Sequence, residues 1–419
     1  MKAAILAVEE LSRGALAKLY SVPVIVRAIH SLARGGVEEV TIICSDVDEV
    51  EDAVFRWDIP IRMNLVGAVR LSEGLSRLKG LFKERFILSL GCYVFEESAV
   101  RLLAGRNGPT VLVDSKPPVE PRFRLPSGEG GFSGLALVDE ATVAALEGSS
   151  SVDELVERLY EGGVEVVDLE SSSVYDAELK RSSKPLCMDL ADRTSLERCK
   201  GILLGRIGKG KHFTSKMNHP VENAITKLIA DTPITPNHVT ILTNVLAYIC
   251  SALFLTGHFR MGSILAYLTG VLDGVDGKLA RVRGILTKLG HMEHSFDMLF
   301  EQVWYAAFGL SLIAHGYGGW RELVLLMAFL VSDSFTRHVY MQFRAVTGIA
   351  LTDYSRFDRV FARIDGRRNM YVLYMIGLSL LNHPQLALPF MLSHSLATTA
   401  VYAVRACIHL RRLDRSPFR

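Results

Sequence analysis

The stretch Leu272–Arg281, LDGVDGKLAR, sets four charged side chains into sequence that otherwise asks for lipid. MGSILAYLTGV lies just upstream, and SFDMLFEQVWYAAFGLSLIA follows a short basic loop downstream. Charged groups at membrane depth are costly, so a chain that keeps them turns them toward a protein cavity and uses them there. Asp273, Asp276, Gly277 and Ala280 stand at i, i+3, i+4 and i+7, one stripe of an α-helix. On the next apolar stretch Glu293 and Asp297, at i and i+4, share a second stripe. Two such helices side by side bring four carboxylates to one point, where they repel or reprotonate unless cations lie between them. All-oxygen ligands suit Mg²⁺ or Mn²⁺. Gly277 and Ala280 leave a smooth notch where a flat or phosphorylated ligand can approach the helix. The residues describe a metal–phosphate site at a membrane surface.

Composition divides the chain. A mean hydropathy of +0.24 exceeds that of a purely soluble protein, and the excess falls after about residue 232. Before it, the β-branched runs AAILAV, VEEVTIICSD, FILSLGCYVF and PTVLVD alternate with helical patterns such as YSVPVIVRAIHSLARGG. That alternation implies an α/β domain with a mainly parallel, Rossmann-like sheet. A net charge of +2 gives no reason to expect nucleic acid as a partner. The six cysteines form no C-x-x-C pair and are expected to be reduced. MKAAILAVEEL has no basic n-region followed by a long apolar run, so the N-terminal domain is expected to be cytoplasmic.

After the basic linker GRIGKGKHFTSK, residues Val221, Ile225, Leu228 and Ile229 form one apolar stripe, with Lys216 and Lys227 placed to meet lipid phosphates. This is the pattern of a helix lying in the membrane interface, or of an ordinary amphipathic helix on the soluble domain. Spans are expected at 236–257, 261–282, 289–315, 320–344, 369–382 and 385–409, an all-α domain of six transmembrane helices. Arginines concentrate in the 344–368 loop and in the C-terminal RRLDRSPFR, whereas the opposite connections carry only Arg260. The positive-inside rule then puts the N-terminal domain and the C-terminus in the cytoplasm of a multi-pass cell-membrane protein. The domain reading is 1–205 soluble, 206–232 linker and interfacial helix, and 233–412 membrane-embedded.

D-G-V-D-G-K-L-A-R at 273–281, then a spacer and Gly290, resembles the signature of the CDP-alcohol phosphatidyltransferase family, D-x-x-D-G-x-x-A-R…G-x-x-x-D-x-x-x-D. TPNHVT at 235–240 is similar to the family's usual entry into its first span. The second half departs: four and eight residues after Gly290 stand His294 and Met298. A shift of one residue restores carboxylates, Glu293 and Asp297, and is preferred, with His294 as the alternative ligand. The resemblance implies a membrane enzyme that moves a phospho-alcohol from a CDP-alcohol donor to an acceptor hydroxyl and releases CMP, in phospholipid or inositol-phosphodiester synthesis. It implies that Asp273, Asp276, Glu293 and Asp297 hold two Mg²⁺ or Mn²⁺ ions. Asp297 would also act as general base, and Asp273, Asp276, Gly277, Ala280, Arg281 and Asn237 would bind the nucleotide. Arg367, Arg368 and Arg337 would take an acceptor phosphate, for which a guanidinium fork is suited. Equally, Arg367 and Arg368 could only enforce topology, and Asp333 could pair with Arg337 at i, i+4. A homodimer through the membrane helices is implied by the family alone.

The N-terminal AAILAVEELSRGALAKLYSVPVIVRAIHSLARGGVEEVTIICSD, with MDLADRTSLERCKGILL, resembles sugar-phosphate nucleotidyltransferases. The whole arrangement is similar to archaeal fusions of an inositol-phosphate cytidylyltransferase with a di-inositol-phosphate-phosphate synthase. The phosphate loop after strand one, glycine-rich where such enzymes cradle a triphosphate, reads VEELSRG here. Gly91-Cys92 replaces the expected metal-binding Asp, leaving Asp189 as a relic. The expectation is an inactive cytidylyltransferase domain. The alternatives are a bifunctional enzyme whose N-terminal half still makes CDP-inositol and, from another class, a transporter with a cytosolic regulatory domain.

Overall fold

The computed structural model of the chain describes residues 1–419 except 126–129, 177, 178, 180, 191, 209–211, 287, 288 and 416–419, and the side chains of the rest except those of Glu10, Leu289, His291 and Glu293. The four expected runs form strands β1 (Lys2–Ala7), β2 (Glu39–Cys44), β4 (Phe86–Leu90) and β5 (Thr110–Asp114), and three further strands join them, β3 (Arg62–Gly67), β6 (Gly131–Val138) and β7 (Glu165–Asp168). They make one seven-stranded sheet in the order β7-β5-β6-β4-β1-β2-β3. Only β6 runs antiparallel to its neighbours; the other pairs are parallel. Strand β1 is buried from Ala3 to Ala7 because helices cover both faces, hence its unbroken apolar run. All six cysteines are free, and Cys407 alone is exposed.

The C-terminal half is helical. α1 (Val24–Arg34) belongs to the sheet domain; α2 (Phe213–Ile229), α3 (Pro236–Leu255), α4 (Phe259–Arg283), α5 (Glu293–Ala314), α6 (Trp320–Thr347), α7 (Arg368–Leu380) and α8 (Ala387–Asp414) follow it. A helix thus stands at each of the six stretches expected to span. Three of them, Pro236–Leu255, Trp320–Thr347 and Pro384–Asp414, are long and apolar enough to cross a membrane. The 13 residues of α7 reach only about 20 Å at 1.5 Å per residue, short of a ~30 Å hydrocarbon core. Thr235 caps α3 with a capping box and Pro236 occupies its first turn. Gly284 ends α4 in the left-handed region at φ 71°.

The bundle core is aromatic: Trp304, Tyr305 and Phe308 of α5 pack with Phe329 of α6 and Tyr371 of α7, all fully enclosed. α6 and α8 are tied by hydroxyls, Ser332 to Thr399 at 2.8 Å and Ser395 to Ser332 at 2.9 Å, the kind of interhelical bond that suits an apolar surround. α2 has its polar side inward. Thr214, Asn218, Glu222 and Thr226 are buried, while Met217, Val221 and Leu228 are exposed, Leu228 to 77%. An apolar face turned out beside apolar helices fits the interfacial alternative for this helix.

The two halves are joined by a shared core. Leu19, Tyr20 and Val24 of the sheet domain pack with Val275, Leu279 and Val282 of α4. Arg27 of α1 donates to the Val282 carbonyl at 2.6 Å, and Arg34 to that of Gly284 at 3.0 Å. Arg283 turns the other way and donates to the carbonyls of Ile229, Ala230, Thr232 and Ile234. The carbonyls that a helix end leaves unpaired are satisfied here by arginines.

Candidate active site

α4 presents the motif as its spacing requires. Asp276 is buried, accepting from the Thr240 hydroxyl of α3 at 2.7 Å and from the Gly277 amide at 2.6 Å. Asn237 lies exposed in the first turn of α3, three residues before Thr240. Over Gly277 lies the Arg281 guanidinium: a Cβ built there would stand 3.1 Å from its Nη1. Arg281 also donates to the Ile207 carbonyl at 3.1 Å, while Ala280 is half-buried one turn beyond Gly277. On the back of α4, Lys278 is enclosed by Glu222 at 2.9 Å and Asn223 at 2.6 Å. Gly274 lets α2 approach there; a Cβ would meet the Glu222 carboxyl at 2.7 Å.

Asp273 meets α5. Its carboxyl faces that of Asp297, so two of the four expected carboxylates converge. His294 Nδ1 is 3.6 Å from Asp297, on a largely exposed ring. The Glu293 side chain lies outside the described residues. Glu301, one turn beyond Asp297, points into the same space, buried to 3%. Sequence reasoning missed it, although i+4 from Asp297 was the signal that could have found it.

The basic candidates are all paired. Arg368, at the start of α7, contacts Asp273 and reaches Glu301 at 3.1 Å. Arg337 contacts the other oxygen of Glu301 and binds Asp333 at 3.0 Å; Gln302 donates to Asp333 at 2.9 Å. Asp333 and Arg337 thus do pair across one helical turn. Arg367 lies apart, held by Asp365, which also accepts from Tyr402 at 2.5 Å.

Two features bear on a divalent ion. Among the described residues Asp273 Oδ1 is buried with no hydrogen-bond partner, and beside it stands a second carboxyl that can offer only repulsion or a shared proton. These are hard oxygen donors that share one guanidinium, that of Arg368 on Asp273 Oδ2, and their chemistry fits a divalent cation. Among the described residues no three Asp, Glu, His or Cys side chains already form a metal cage, and Arg368 bridges Asp273 and Glu301.

In the sheet domain, the segment after β1 packs against the chain at Cys92. The chain after β1 enters a helix, Glu10–Leu16, at once, with Glu9 at φ 48° and its amide donated to Ser45 at 2.9 Å. A Cβ on Gly14 would lie 2.5 Å from that of Cys92, so this segment packs tightly against Cys92. Arg122 donates to Cys92 Sγ at 3.0 Å and stands 3.4 Å from Asp189. A guanidinium lies against the relic carboxylate. Burial pushes the Cys92 thiol well above its ordinary pKa, so even beside Arg122 the sulfur stays protonated.

Residues 233–404 match the model of the CDP-alcohol phosphatidyltransferase family. The chain is 25% identical over 334 residues to a Bifunctional IPC transferase and DIPP synthase of Rubrobacter xylanophilus, covering 72% of this chain and 73% of that protein. A protein of the same name from Thermococcus kodakarensis is 26% identical over 218 residues, 48% of this chain and 46% of the relative. Among solved structures the inositol-1-phosphate CTP transferase from T. maritima aligns with 47% of this chain and 94% of its own at 15% identity and a TM-score of 0.37.

Proposed function

For a chain whose residues 233–404 belong to the CDP-alcohol phosphatidyltransferase family, we propose a divalent-metal-dependent membrane transferase that works at the Asp273–Asp297 junction of α4 and α5. The reaction joins an acceptor hydroxyl to the β-phosphorus of a CDP-alcohol. The acceptor oxygen forms the new P–O bond, the diphosphate P–O bond breaks, and its electron pair leaves with CMP. Asp273, Asp276, Asp297 and Glu293 would hold the ion. When bound, a divalent ion neutralises the diphosphate and the charge gathering on the leaving oxygen.

The rest falls to the chain's own side chains. Thr240 fixes the Asp276 carboxylate. Gly277 lets the Arg281 guanidinium lie close over the helix, where it would meet a phosphate oxygen. Asp297 would receive the acceptor's proton, the task of a carboxylate kept ionised beside a cation. The aromatic core of α5, α6 and α7 keeps water from the rear of the site. The exposed apolar face of α2 and the three apolar helices support a membrane setting, with the sheet domain and C-terminus on the cytoplasmic side. A second copy docking on exposed α5 residues such as Phe296 and Leu299 is the dimer this reading favours.

The observation that carries the proposal is the buried, unpartnered Asp273 Oδ1 facing Asp297. Incubating the purified protein with a panel of CDP-alcohols, soluble and lipid-linked, and following CMP release tests it; no release from any donor with Mn²⁺ or Mg²⁺ present would refute it. The names of the relatives favour a second reading, with an active N-terminal cytidylyltransferase. The Arg122–Asp189 contact speaks for the inactive form, whose donor is made elsewhere.

A further inference from the structure

The buried charges around the site do not balance. Among the described residues Asp273, Asp297, Glu301 and Asp333 face two guanidinium groups, those of Arg337 and Arg368, and at the rim the largely exposed ring of His294. The surplus is unevenly placed. Asp333 and one oxygen of Glu301 share Arg337, and Gln302 completes Asp333. Nothing comparable completes Asp273: Arg368 reaches its Oδ2, Oδ1 is orphaned, and Asp297 presses a carboxyl against it. Arg368 is therefore the cation standing where the surplus anion lies, and it is anchored twice, to Asp273 by Nη2 and to Glu301 by Nη1 at 3.1 Å.

We propose that Arg368 is the resting counter-ion of this carboxylate site and exchanges with the divalent ion. It gives up Asp273 when the ion enters and swings on Glu301, which keeps it. This rests on the metal-dependent reading above and adds a cost to metal binding built into the chain. The geometry suits an exchange better than a fixed structural pair. A structural pair would satisfy both oxygens of its carboxylate, and a guanidinium has donors enough for that. Here the fork is split between two carboxylates, so one contact can be lost without leaving a buried cation alone. Released from Asp273, the Nη2 edge of Arg368 faces the site with free donors suited to a phosphate oxygen.

Mn²⁺ binding to the purified, substrate-free protein, read as the loss of the free-ion signal in electron paramagnetic resonance, tests the exchange without turnover. Removing the competing charge in Arg368→Gln should tighten Mn²⁺ binding about tenfold or more, since a ligand no longer has to displace a buried partner. It should also lower the metal-free melting temperature, which Mn²⁺ restores. Arg368→Lys, which keeps the charge, should bind within a few-fold of the unmodified protein, and Asp273→Asn should not bind at all. Unchanged or weaker binding in Arg368→Gln, with Asp273→Asn still abolishing it, overturns the exchange and leaves the metal site standing. Absence of Mn²⁺ binding in both the unmodified protein and Arg368→Gln overturns the metal reading and the exchange together.

Discussion

Arg27, in the sheet domain, donates a 2.6 Å hydrogen bond to the carbonyl of Val282 at the end of the helix that carries Asp273 and Asp276. The guanidinium is buried, and burial pulls its pKa down to about 10, so it stays charged at neutral pH. The sheet domain thus holds the helix that carries the candidate site. Arg27→Met should cost about 1–3 kcal/mol, the value of a buried charged donor, and should lower CMP release as the motif loses its brace. Melting temperature and turnover measured on the same preparation check this; an unchanged value of both contradicts it.

Arg122 supplies a second test. With its guanidinium against Asp189 and Cys92, the sheet domain should release no pyrophosphate from CTP and any polyol phosphate. Arg122→Ala should not restore turnover, and should destabilise by roughly 1–3 kcal/mol because Asp189 is left buried without its partner. Pyrophosphate release by the unmodified protein would contradict this expectation.

At Gly274 the expected outcome is steric. Gly274→Ala places a Cβ 2.7 Å from the Glu222 carboxyl, whose ion pair with Lys278 at 2.9 Å resists moving away. Overpacking of this kind costs about 1–3 kcal/mol, and thermal unfolding should show it. The same change at Gly201 or Gly377, where a Cβ meets nothing, should be tolerated far better.

Acid should destabilise the protein through two histidines. Burial, aided by Arg34, pushes His30 down to about 4. Burial, aided by Arg367, does the same to His212. His212 uses both ring nitrogens: Nδ1 accepts from the Thr214 amide at 3.2 Å, which leaves Nε2 to donate to the Asp365 carbonyl at 3.2 Å. Both folded values lie below the unfolded 6.5, so the unfolded chain takes up the protons first. Stability is full above pH 6.5 and falls as pH drops from there to about 4, by roughly 1–3 kcal/mol for each group. Urea unfolding at pH 7.5 and 4.5 measures the loss, and His30→Gln should flatten it.

How much of this could be read beforehand depended on distance along the chain. The Asp273–Asp276–Gly277–Ala280 face follows from helical spacing alone, and so does its meeting with Asp297 once two helices are set side by side. Four strands of the sheet domain, β1, β2, β4 and β5, followed from short β-branched runs between helical patterns, whereas β3 and the glycine-punctuated β6 did not. The pairing of Arg368 with Asp273, 95 residues apart, leaves no local trace, and a basic residue at a helix start looks the same whether it binds substrate or a carboxylate. Arg122 likewise comes from an irregular segment to meet Cys92 and Asp189, a contact that nothing local in the sequence announces. Arg27 sits in an apolar helix where one charge suggests a solvent-facing edge; its burial against α4 depends on a docking that no periodicity encodes.

CMP release by Asp273→Asn, Asp297→Asn and the double variant, each confirmed as folded, tests most directly whether the two helices form one site. If their carboxylates act as a unit, each single change should lower turnover by about 10²-fold or more, and the double variant should fall little below the worse single, as for groups that work together. Turnover within a few-fold of the unmodified protein in either single variant would contradict the account.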